Sequence, residues 1–254
     1  MTLFDGLLLG TVQGLTEFLP VSSSGHLILM RELLGLNTSG GLAFDAILQL
    51  GTILAVFVYF RRDIWNLPKQ RALLGAIVVG TIPALVLGLL LEDMMETTFR
   101  SPLLVAGSLV VGSLLFVLAE RLAKRLHSRV TVQDGLWIGL FQTLALVPGI
   151  SRSGATISGG LFRGLTRETA ARFSFLLALP IITGSGIKKL LDVMQDRPTD
   201  IETTPLLLAF VTAFLIGLAC IHFLLSYLKH HTLMIFVWYR LALALAVVLF
   251  VTLR

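Results

Sequence analysis

The chain has 254 residues, of which 56% are hydrophobic and only 14% are charged. Because about a quarter of the residues in a soluble domain are charged, this composition excludes an ordinary soluble enzyme, and it equally excludes a disordered chain. The net charge of +5 is typical of cationic loops beside apolar spans, so it does not indicate nucleic-acid binding. We expect an all-α polytopic membrane protein with a single membrane domain over residues 1–254.

The apolar segments form two similar series. In chain order, the sequence predicts a re-entrant hairpin and three spans, then a second hairpin and three further spans. About 20 helical residues cover a hydrocarbon layer of roughly 30 Å, which sets the length of a span. The first series is 2–34, 42–60, 72–91 and 102–119, and the second is 131–163, 168–187, 205–228 and 233–253.

The two hairpins are predicted from polar breaks in otherwise apolar segments. Residues 20–26 read PVSSSGH, and residues 148–154 read PGISRSG. Proline, glycine and serine interrupt a helix, and non-helical backbone at membrane depth requires protein or water to satisfy its polar groups. We therefore expect each segment to be a helix–loop–helix that returns to the side from which it entered.

The chain repeats itself after a constant shift of 129 positions, and the match includes polar residues that composition alone does not explain. The matched pairs are Asp5 with Asp134, Gly10 with Gly139, Gln13 with Gln142, Ser22 with Ser151, Ser24 with Ser153, Gly25 with Gly154 and Phe44 with Phe173. We place repeat one at approximately 1–128 and repeat two at approximately 129–254. Since each half has an odd number of spans, we expect an inverted-topology repeat, as in many transporters.

The basic residues of the predicted loops set the orientation. One side collects Arg61, Arg62, Lys69, Arg71, Arg121, Lys124, Arg125, Arg129, Arg163, Arg167 and Lys229, whereas the other has Arg31, Arg100, Lys188, Lys189, Arg197 and Arg254. The excess of positive charge places the first set in the cytoplasm and both termini outside. The first hairpin then enters from the outside and the second from the cytoplasm.

An inverted repeat brings the tips of the two hairpins face to face inside the membrane. The repeats differ there, because the first has Glu17, Ser23 and His26 where the second has leucine, Arg152 and alanine. A charge at membrane depth costs about 3 kcal/mol, so Glu17 and Arg152 require partners or a function. We predict one polar pocket that combines the carboxylate, the imidazole, the hydroxyls and the guanidinium. The structural alternative is a simple ion pair beside serines that only satisfy broken backbone.

These residue types suit a phosphate group. The planar guanidinium of arginine matches phosphate oxygens, and serine hydroxyls with the Gly25 and Gly154 amides at helix N-termini supply further donors. Glu17 and Gln13 lie four residues apart on one helix face and form a candidate site for a hard cation, Mg²⁺ or Ca²⁺. His26 is either a nucleophile or the base that activates Ser23 or water.

Four polar residues elsewhere in the spans have less specific interpretations. Asp45 and Gln49 share a helix face and either extend the pocket or form hydrogen bonds between helices. His222 is expected to make an interhelical hydrogen bond. Arg240 is expected to extend toward the membrane surface or to pair at an interface.

Three motifs together resemble one family. Residues 13–17 read QGLTE, residues 20–26 PVSSSGH and residues 148–156 PGISRSGAT. In this order they resemble the motifs of the undecaprenyl-diphosphate phosphatase family, the bacitracin-resistance membrane proteins, and the resemblance extends over the whole length. It implies hydrolysis of undecaprenyl diphosphate to undecaprenyl phosphate and inorganic phosphate, which recycles the lipid carrier for peptidoglycan. It also implies dependence on a divalent cation and a site open to the outer face of the bacterial plasma membrane.

The resemblance also assigns roles by position. Glu17, His26 and Arg152 become the catalytic candidates, with Ser23 as a rival or auxiliary nucleophile. The groups implied to hold phosphate oxygens are those of Ser22, Ser24, Ser151, Ser153 and Thr156. Because Gln13 stands at the first acidic position, the site has one carboxylate fewer and the number of metal ligands stays open.

Partners and a second function complete these expectations. The partners are a polyprenyl diphosphate and bilayer lipids, with a homodimer as a further expectation. An inverted repeat with broken hairpins is equally the architecture of a transporter. A flippase for polyprenyl phosphate, alone or combined with the phosphatase, is therefore the alternative function.

Overall fold

The computed structural model describes residues 2–35, 41–91, 94, 101–123, 127–196 and 203–253. Within these ranges the regular secondary structure is helical, with one isolated bridge between His127 and Leu165. The helices are α1 Leu3–Thr16, α2 Ser23–Leu34, α3 Gly41–Tyr59, α4 Arg61–Asn66, α5 Arg71–Leu90, α6 Pro102–Leu122, α7 Val132–Leu144, α8 Arg152–Phe162, α9 Arg167–Asp196, α10 Thr203–Leu228 and α11 Met234–Thr252. A short 3₁₀ turn, Leu67–Lys69, follows α4.

The predicted multi-pass architecture is confirmed. Five of the described helices are long and apolar enough to cross a membrane, namely α5, α6, α9, α10 and α11. The apolar part of α3, Phe44–Tyr59, bends by 65° into the segment Arg61–Lys69, and this bent pair taken together is long and apolar enough to be a sixth span. The chain is therefore a polytopic helical membrane protein, with its spans where the hydrophobic segments of the sequence predict them.

Neither hairpin contains a helix long enough to cross. The four hairpin helices have 14, 12, 13 and 11 residues, which corresponds to lengths of roughly 16–21 Å. Since a span requires about 20 residues, none of these four helices is long enough to cross the bilayer by itself. In each hairpin the two helices contact one another, as expected for a segment that enters and returns.

The two halves interlock by exchanging equivalent contacts. Helix α1 packs along α10, and its repeat counterpart α7 packs along α5. Both contacts depend on glycine: a Cβ on Gly10 would collide with the backbone of Ala209, and one on Gly139 with the backbone of Gly80. Glycines spaced four apart allow helix backbones to approach closely in membranes. Each hairpin is therefore anchored to a span of the opposite half.

Ion pairs join the helix ends on the side that the sequence predicts to be cytoplasmic. Arg172 of α9 contacts Asp63 of α4 at 3.0 Å. Glu120 at the end of α6 accepts hydrogen bonds from Arg167 and from the backbone N–H of Leu233. These contacts place the ends of α4 and α6 and the starts of α9 and α11 on one face. The opposite face holds the ion pair between Arg31 and Asp45.

An aromatic cluster packs beneath the tip of the first hairpin. The ring of Phe18 is fully buried and meets Phe175 edge to face, with centroids 5.4 Å apart. The ring of Phe60 also contacts Phe175, with centroids 6.0 Å apart. Because Phe18 directly follows Glu17, this packing fixes the backbone that carries the carboxylate.

Candidate active site

The two hairpin loops meet tip to tip in the interior of the protein. The backbone N–H of Gly149 donates to Ser22 Oγ at 3.0 Å, and Ser153 Oγ donates to the carbonyl of Leu19 at 3.3 Å. Non-helical backbone of each loop is therefore satisfied by the other loop, as membrane-buried backbone requires. The structure thus brings together the two loops that the repeat predicts to be face to face.

Each loop turns into its second helix through a serine with a positive φ. Ser22 and Ser151 have φ of 76° and 78° and are the non-glycine residues of the described chain with positive φ. Their hydroxyls accept from the Gly25 and Gly154 amides, which caps α2 and α8. Such backbone costs about 1–3 kcal/mol and persists only where the surrounding structure enforces it. The positive φ and the serine cap that the two loops share show that both repeats use a similar frame.

Glu17 lies at the centre of the pocket and joins the two repeats. Its Oε1 accepts from Arg152 Nη2 at 2.9 Å. Its Oε2 accepts from Ser23 Oγ at 2.6 Å and from Gln13 Nε2 at 3.0 Å. The side chains of Glu17 and Arg152 are only 7% and 13% exposed, respectively. The predicted meeting of carboxylate, hydroxyl and guanidinium therefore occurs in one buried network, and charge-assisted bonds of this kind are the strong ones.

This network makes Glu17 the base within reach of Ser23. A hydroxyl that donates to a carboxylate at 2.6 Å is positioned to transfer its proton to that carboxylate. Arg152 lies on the other carboxylate oxygen and also donates to the carbonyl of Ser174 at 3.5 Å. The pocket therefore combines a hydroxyl, a carboxylate that accepts its hydrogen bond and a guanidinium whose shape matches phosphate oxygens.

His26 contacts a different set of groups from those predicted. Its Nδ1 lies 2.7 Å from the carbonyl oxygen of Ser22, and its Nε2 lies 2.7 Å from the hydroxyl of Tyr239. Both ring nitrogens are thus occupied, and neither is bonded to Ser23. The prediction that His26 activates Ser23 receives no support from this geometry, because Glu17 accepts that hydroxyl hydrogen bond instead.

Several of the predicted phosphate donors are used by the fold itself. The Gly25 and Gly154 amides are satisfied by the capping serines. Thr156 is fully buried, and its hydroxyl bonds Ser174 Oγ at 2.6 Å. Ser151 and Ser153 are buried, and their hydroxyl oxygens form a hydrogen bond with each other at 3.2 Å.

The first turn of α2 supplies better donors than the predicted glycine. Ser24 is exposed and Ser23 is half-buried, whereas Gly25 is buried. A serine cap satisfies the third amide of a helix and leaves the first two for another acceptor. The backbone N–H groups of Ser23 and Ser24, in the first turn of α2, are of the kind that binds anions at helix N-termini.

Arg240 was expected near an interface but is completely buried. Its Nη2 donates to the Gly149 carbonyl at 2.9 Å, and its Nη1 donates to the Pro20 carbonyl at 3.4 Å. These two carbonyls are equivalent under the 129-residue shift. Nε donates to Ser113 Oγ at 3.2 Å, and the guanidinium lies over the ring of Phe116. The expectation was wrong because backbone oxygens of both loops stabilise the charge inside the protein.

The sequence contains a signal for Arg240. A charged residue within an apolar span is expensive and indicates function by default. Tyr239 carries no comparable signal, since a tyrosine in a membrane helix is ordinary. Only its contact with His26, 213 positions away in the chain, reveals it.

Two of the other polar predictions are settled by contacts. His222 Nδ1 lies 3.2 Å from the Tyr59 hydroxyl, so the expected interhelical hydrogen bond is confirmed. Asp45 forms an ion pair with Arg31 at 2.6 Å, which ties α3 to α2. Asp45 therefore makes a contact between helices, which is one of its two predicted roles.

The first hairpin offers oxygen ligands for a hard cation. Gln13 is 1% exposed, and its Oε1 is a buried acceptor without a hydrogen-bond partner. It lies on the same amide group whose nitrogen bonds Glu17. One carboxylate and one amide oxygen suit Mg²⁺, which is held by few protein ligands together with substrate phosphates and water. The described residues contain no group of three His, Cys, Asp or Glu side chains that would hold a metal alone.

The fold and this pocket define a class of protein: a helical membrane protein with a buried set of groups suited to phosphoryl transfer. The family model described as bacitracin resistance protein BacA matches residues 6–246. The chain belongs to this family.

Three relatives illustrate the similarity. The undecaprenyl-diphosphatase of Chloroherpeton thalassium is 44% identical, over 96% of this chain and 94% of that protein. The undecaprenyl-diphosphatase of Micrococcus luteus is also 44% identical, over 96% and 95%. That of Alteromonas mediterranea is 41% identical, over 99% of each chain. The similarity therefore covers both hairpins and all six spans.

Proposed function

We propose that this protein hydrolyses undecaprenyl diphosphate to undecaprenyl phosphate and inorganic phosphate in the pocket around Glu17. Membership of the family and the names of its relatives give the reaction and the substrate. The observation that carries the assignment to this pocket is the sharing of Glu17 between Arg152 and Ser23. The product is the lipid carrier that peptidoglycan synthesis uses again.

The chemistry follows from the positions of the groups. Ser23 Oγ transfers its proton to Glu17 Oε2 and attacks the terminal phosphorus. The bond from this phosphorus to the bridging oxygen breaks, and undecaprenyl phosphate leaves. Water then hydrolyses the phosphoserine and releases inorganic phosphate. Arg152 and the first-turn amides of α2 stabilise the charge on the transferred group, which is the main catalytic term in phosphoryl transfer.

His26 has a separate part in this scheme. Its Nε2 carries a basic lone pair. His26 lies in the first turn of α2, three residues after the proposed nucleophile Ser23. We assign it to the water of the second step, where a base must accept a proton. The competing assignment, direct attack by His26 on phosphorus, is decided by the experiment below.

A divalent cation completes the site. Gln13 Oε1 and the Glu17 carboxylate would hold it, and when bound it would supply positive charge to the diphosphate oxygens. Loop charges support a pocket that opens to the outer face of the bacterial plasma membrane. A homodimer stays a prediction from the sequence.

Phosphate release from a polyprenyl diphosphate by the purified full-length protein tests this function. We expect release in the presence of Mg²⁺ and its loss with a chelator, restored by added Mg²⁺. A protein that releases no phosphate under either condition but moves polyprenyl phosphate across proteoliposomes is a transporter, and the proposal then fails.

Trapping of the phosphorylated enzyme identifies the nucleophile. The terminal β-phosphate of the substrate is labelled with ³²P, and the reaction is quenched during turnover. Acid-stable label on the peptide that contains Ser23 supports the proposed attack. Acid-labile, base-stable label on His26 overturns it, and the Ser23→Ala variant then retains the labelled intermediate.

A further inference from the structure

We propose that Tyr239 is a positioning residue for the reaction, which acts by orienting His26 and covering its reactive nitrogen. The Tyr239 hydroxyl lies 2.7 Å from His26 Nε2. The two rings are nearly parallel, with an interplanar angle of 6° and centroids 5.7 Å apart. Helix α11 thereby reaches the first turn of α2 at the edge of the pocket. The inference rests on the proposed function, in which His26 serves the reaction.

The hydrogen bonds define the tautomer of His26. A backbone carbonyl can only accept, so Nδ1 must carry the proton that bonds the Ser22 oxygen. In the neutral ring, Nε2 therefore holds the lone pair, and the Tyr239 hydroxyl donates to it. The second nitrogen of a histidine is commonly set in this way by the bond that the first one makes. Tyr239 and Ser22 together fix the ring with its basic nitrogen toward α11.

The two repeats indicate that this pair serves chemistry and not the frame. Under the 129-residue shift, His26 aligns with Ala155, and Tyr239 aligns with Val110. Both members are thus specific to one copy of the architecture, whereas the capping serines occur in both. A bond that only held the hairpin in place would be needed in each half. The other hairpin packs instead through Gly154, which lies against the ring of Phe116.

Tyr239 is also placed where it can move. Its side chain is 47% exposed, although His26 is only 9% exposed. The hydroxyl blocks the one lone pair that His26 offers to a proton or to phosphorus. The tyrosine hydroxyl must therefore move away from Nε2 before His26 accepts a proton from the water of the second step, and it keeps Nε2 covered until then.

The structure provides a matched control for the test. Tyr59 forms the corresponding tyrosine–histidine bond with His222, at 3.2 Å between the hydroxyl and Nδ1. This pair lies between α3 and α10 and touches no group that we place in the pocket. The substitutions Tyr239→Phe and Tyr59→Phe each remove one hydroxyl and keep the ring, so the two variants differ only in which histidine loses its donor.

The first measurement is the rate at which diethylpyrocarbonate modifies His26 in the full-length protein, mapped by mass spectrometry with exposed His230 as the internal reference. We expect Tyr239→Phe to accelerate modification of His26 about threefold to tenfold, the factor that one neutral hydrogen bond represents. Tyr59→Phe leaves the rate at His26 unchanged. An unchanged rate in a folded Tyr239→Phe variant overturns the proposal. This readout does not depend on phosphatase activity, so it stands even if the proposed function fails.

The second measurement is phosphate release. We expect Tyr239→Phe to lower kcat about threefold to tenfold with little change in KM, because the hydroxyl acts on His26 and not on substrate affinity. In a His26→Ala background the same substitution has no further effect, since its target is gone. An equal loss in both backgrounds shows that Tyr239 acts independently of His26, which overturns the proposal.

Discussion

The loop of the first hairpin and the loop of the second have the same backbone and different chemistry. Both turn at a serine with a positive φ, which is 76° in Ser22 and 78° in Ser151. In both loops the same serine caps the following helix. The first hairpin carries the carboxylate of Glu17, the hydroxyl of Ser23 and the imidazole of His26, whereas the second contributes the guanidinium of Arg152. Duplication therefore supplied a frame whose two tips meet, and sequence divergence divided the reacting groups between them.

The comparison also explains why the groups are buried together without a large energetic penalty. A lone carboxylate or guanidinium inside a bilayer is expensive. Here the charges of opposite sign come from opposite halves, and each half satisfies backbone of the other. The site exists only where the halves meet, so each loop alone is incomplete.

The largest effect is expected from removal of the charge pair. Arg152→Ala and Glu17→Ala should each lower kcat for phosphate release on the order of 10²–10³-fold, because each removes preorganised charge at the reacting group. Leu146→Ala, at the position equivalent to Glu17, should retain near wild-type activity. Steady-state assays on purified variants check both. Near-normal turnover of either charge variant would remove the pocket from the mechanism.

A smaller but global effect is expected at Arg240, which bonds equivalent carbonyls of both loops. Arg240→Met should reduce the free energy of unfolding by about 2–4 kcal/mol, because several buried oxygens lose their donor. Val111→Met, at the equivalent position in the first repeat, should change stability by less than about 0.5 kcal/mol, since that side chain is exposed. Thermal unfolding in detergent distinguishes the two. Equal stability of both variants contradicts the bridging role.

The two capping serines should differ in cost although their geometry is the same. Ser22→Ala removes the cap of α2 and also strands the Gly149 amide, which together cost about 2–3 kcal/mol. Ser151→Ala removes the cap of α8, worth about 1 kcal/mol. Comparison of the thermal midpoints tests this order. The reverse order would show that the contact between the loops is weaker than the cap.

Effects of similar or smaller size are expected at the first turns of α1 and α7, where Asp5 and Asp134 form equivalent capping boxes. Burial raises the pKa of Asp134, but hydrogen bonds from Arg163 and Thr131 outweigh it and hold this pKa below its usual range. Asp134→Asn should therefore cost about 1–2 kcal/mol at neutral pH. Asp5 bonds only Thr2 at an exposed position, and Asp5→Asn should cost less than about 0.5 kcal/mol.

The pH dependence follows from the sign of that shift. A carboxyl whose pKa is lowered by folding adds stability above its unfolded pKa, and this contribution disappears as pH falls through the folded value. The stability difference between wild type and Asp134→Asn should thus be constant above about pH 5 and shrink below about pH 4. Unfolding measured across this range checks it. A difference that persists at low pH would assign the effect to packing.

Much of this architecture could be predicted because it depends on patterns within short segments of the sequence. Apolar length gives the spans, the Pro, Gly and Ser breaks give the hairpins, and the constant shift gives the meeting of Glu17 with Arg152. The glycines at positions 10 and 139 were visible as repeat markers, but their role in helix contact required the neighbouring backbones of Ala209 and Gly80.

Other features of the site depend on which polar groups already have a hydrogen-bond partner within the fold. The sequence identifies glycine amides at the loop helices but does not show that Ser22 and Ser151 occupy them. It likewise suggests His26 as the partner of Ser23, although Glu17 takes that hydrogen bond. Hydrogen-bond choice among neighbouring polar groups is a matter of ångströms and angles, which residue spacing does not specify.

By itself, the sequence determined that this protein is a helical membrane protein with a duplicated plan, and it named the polar residues at the two breaks. Hydrophobic length and periodicity are properties of short segments, so they are readable without a fold. Only the tertiary structure decided that Tyr239 covers His26 and that Arg240 joins both loops, because these contacts link positions 213 and 220 residues apart. Contacts at that separation arise from how the helices pack, and no local pattern encodes them.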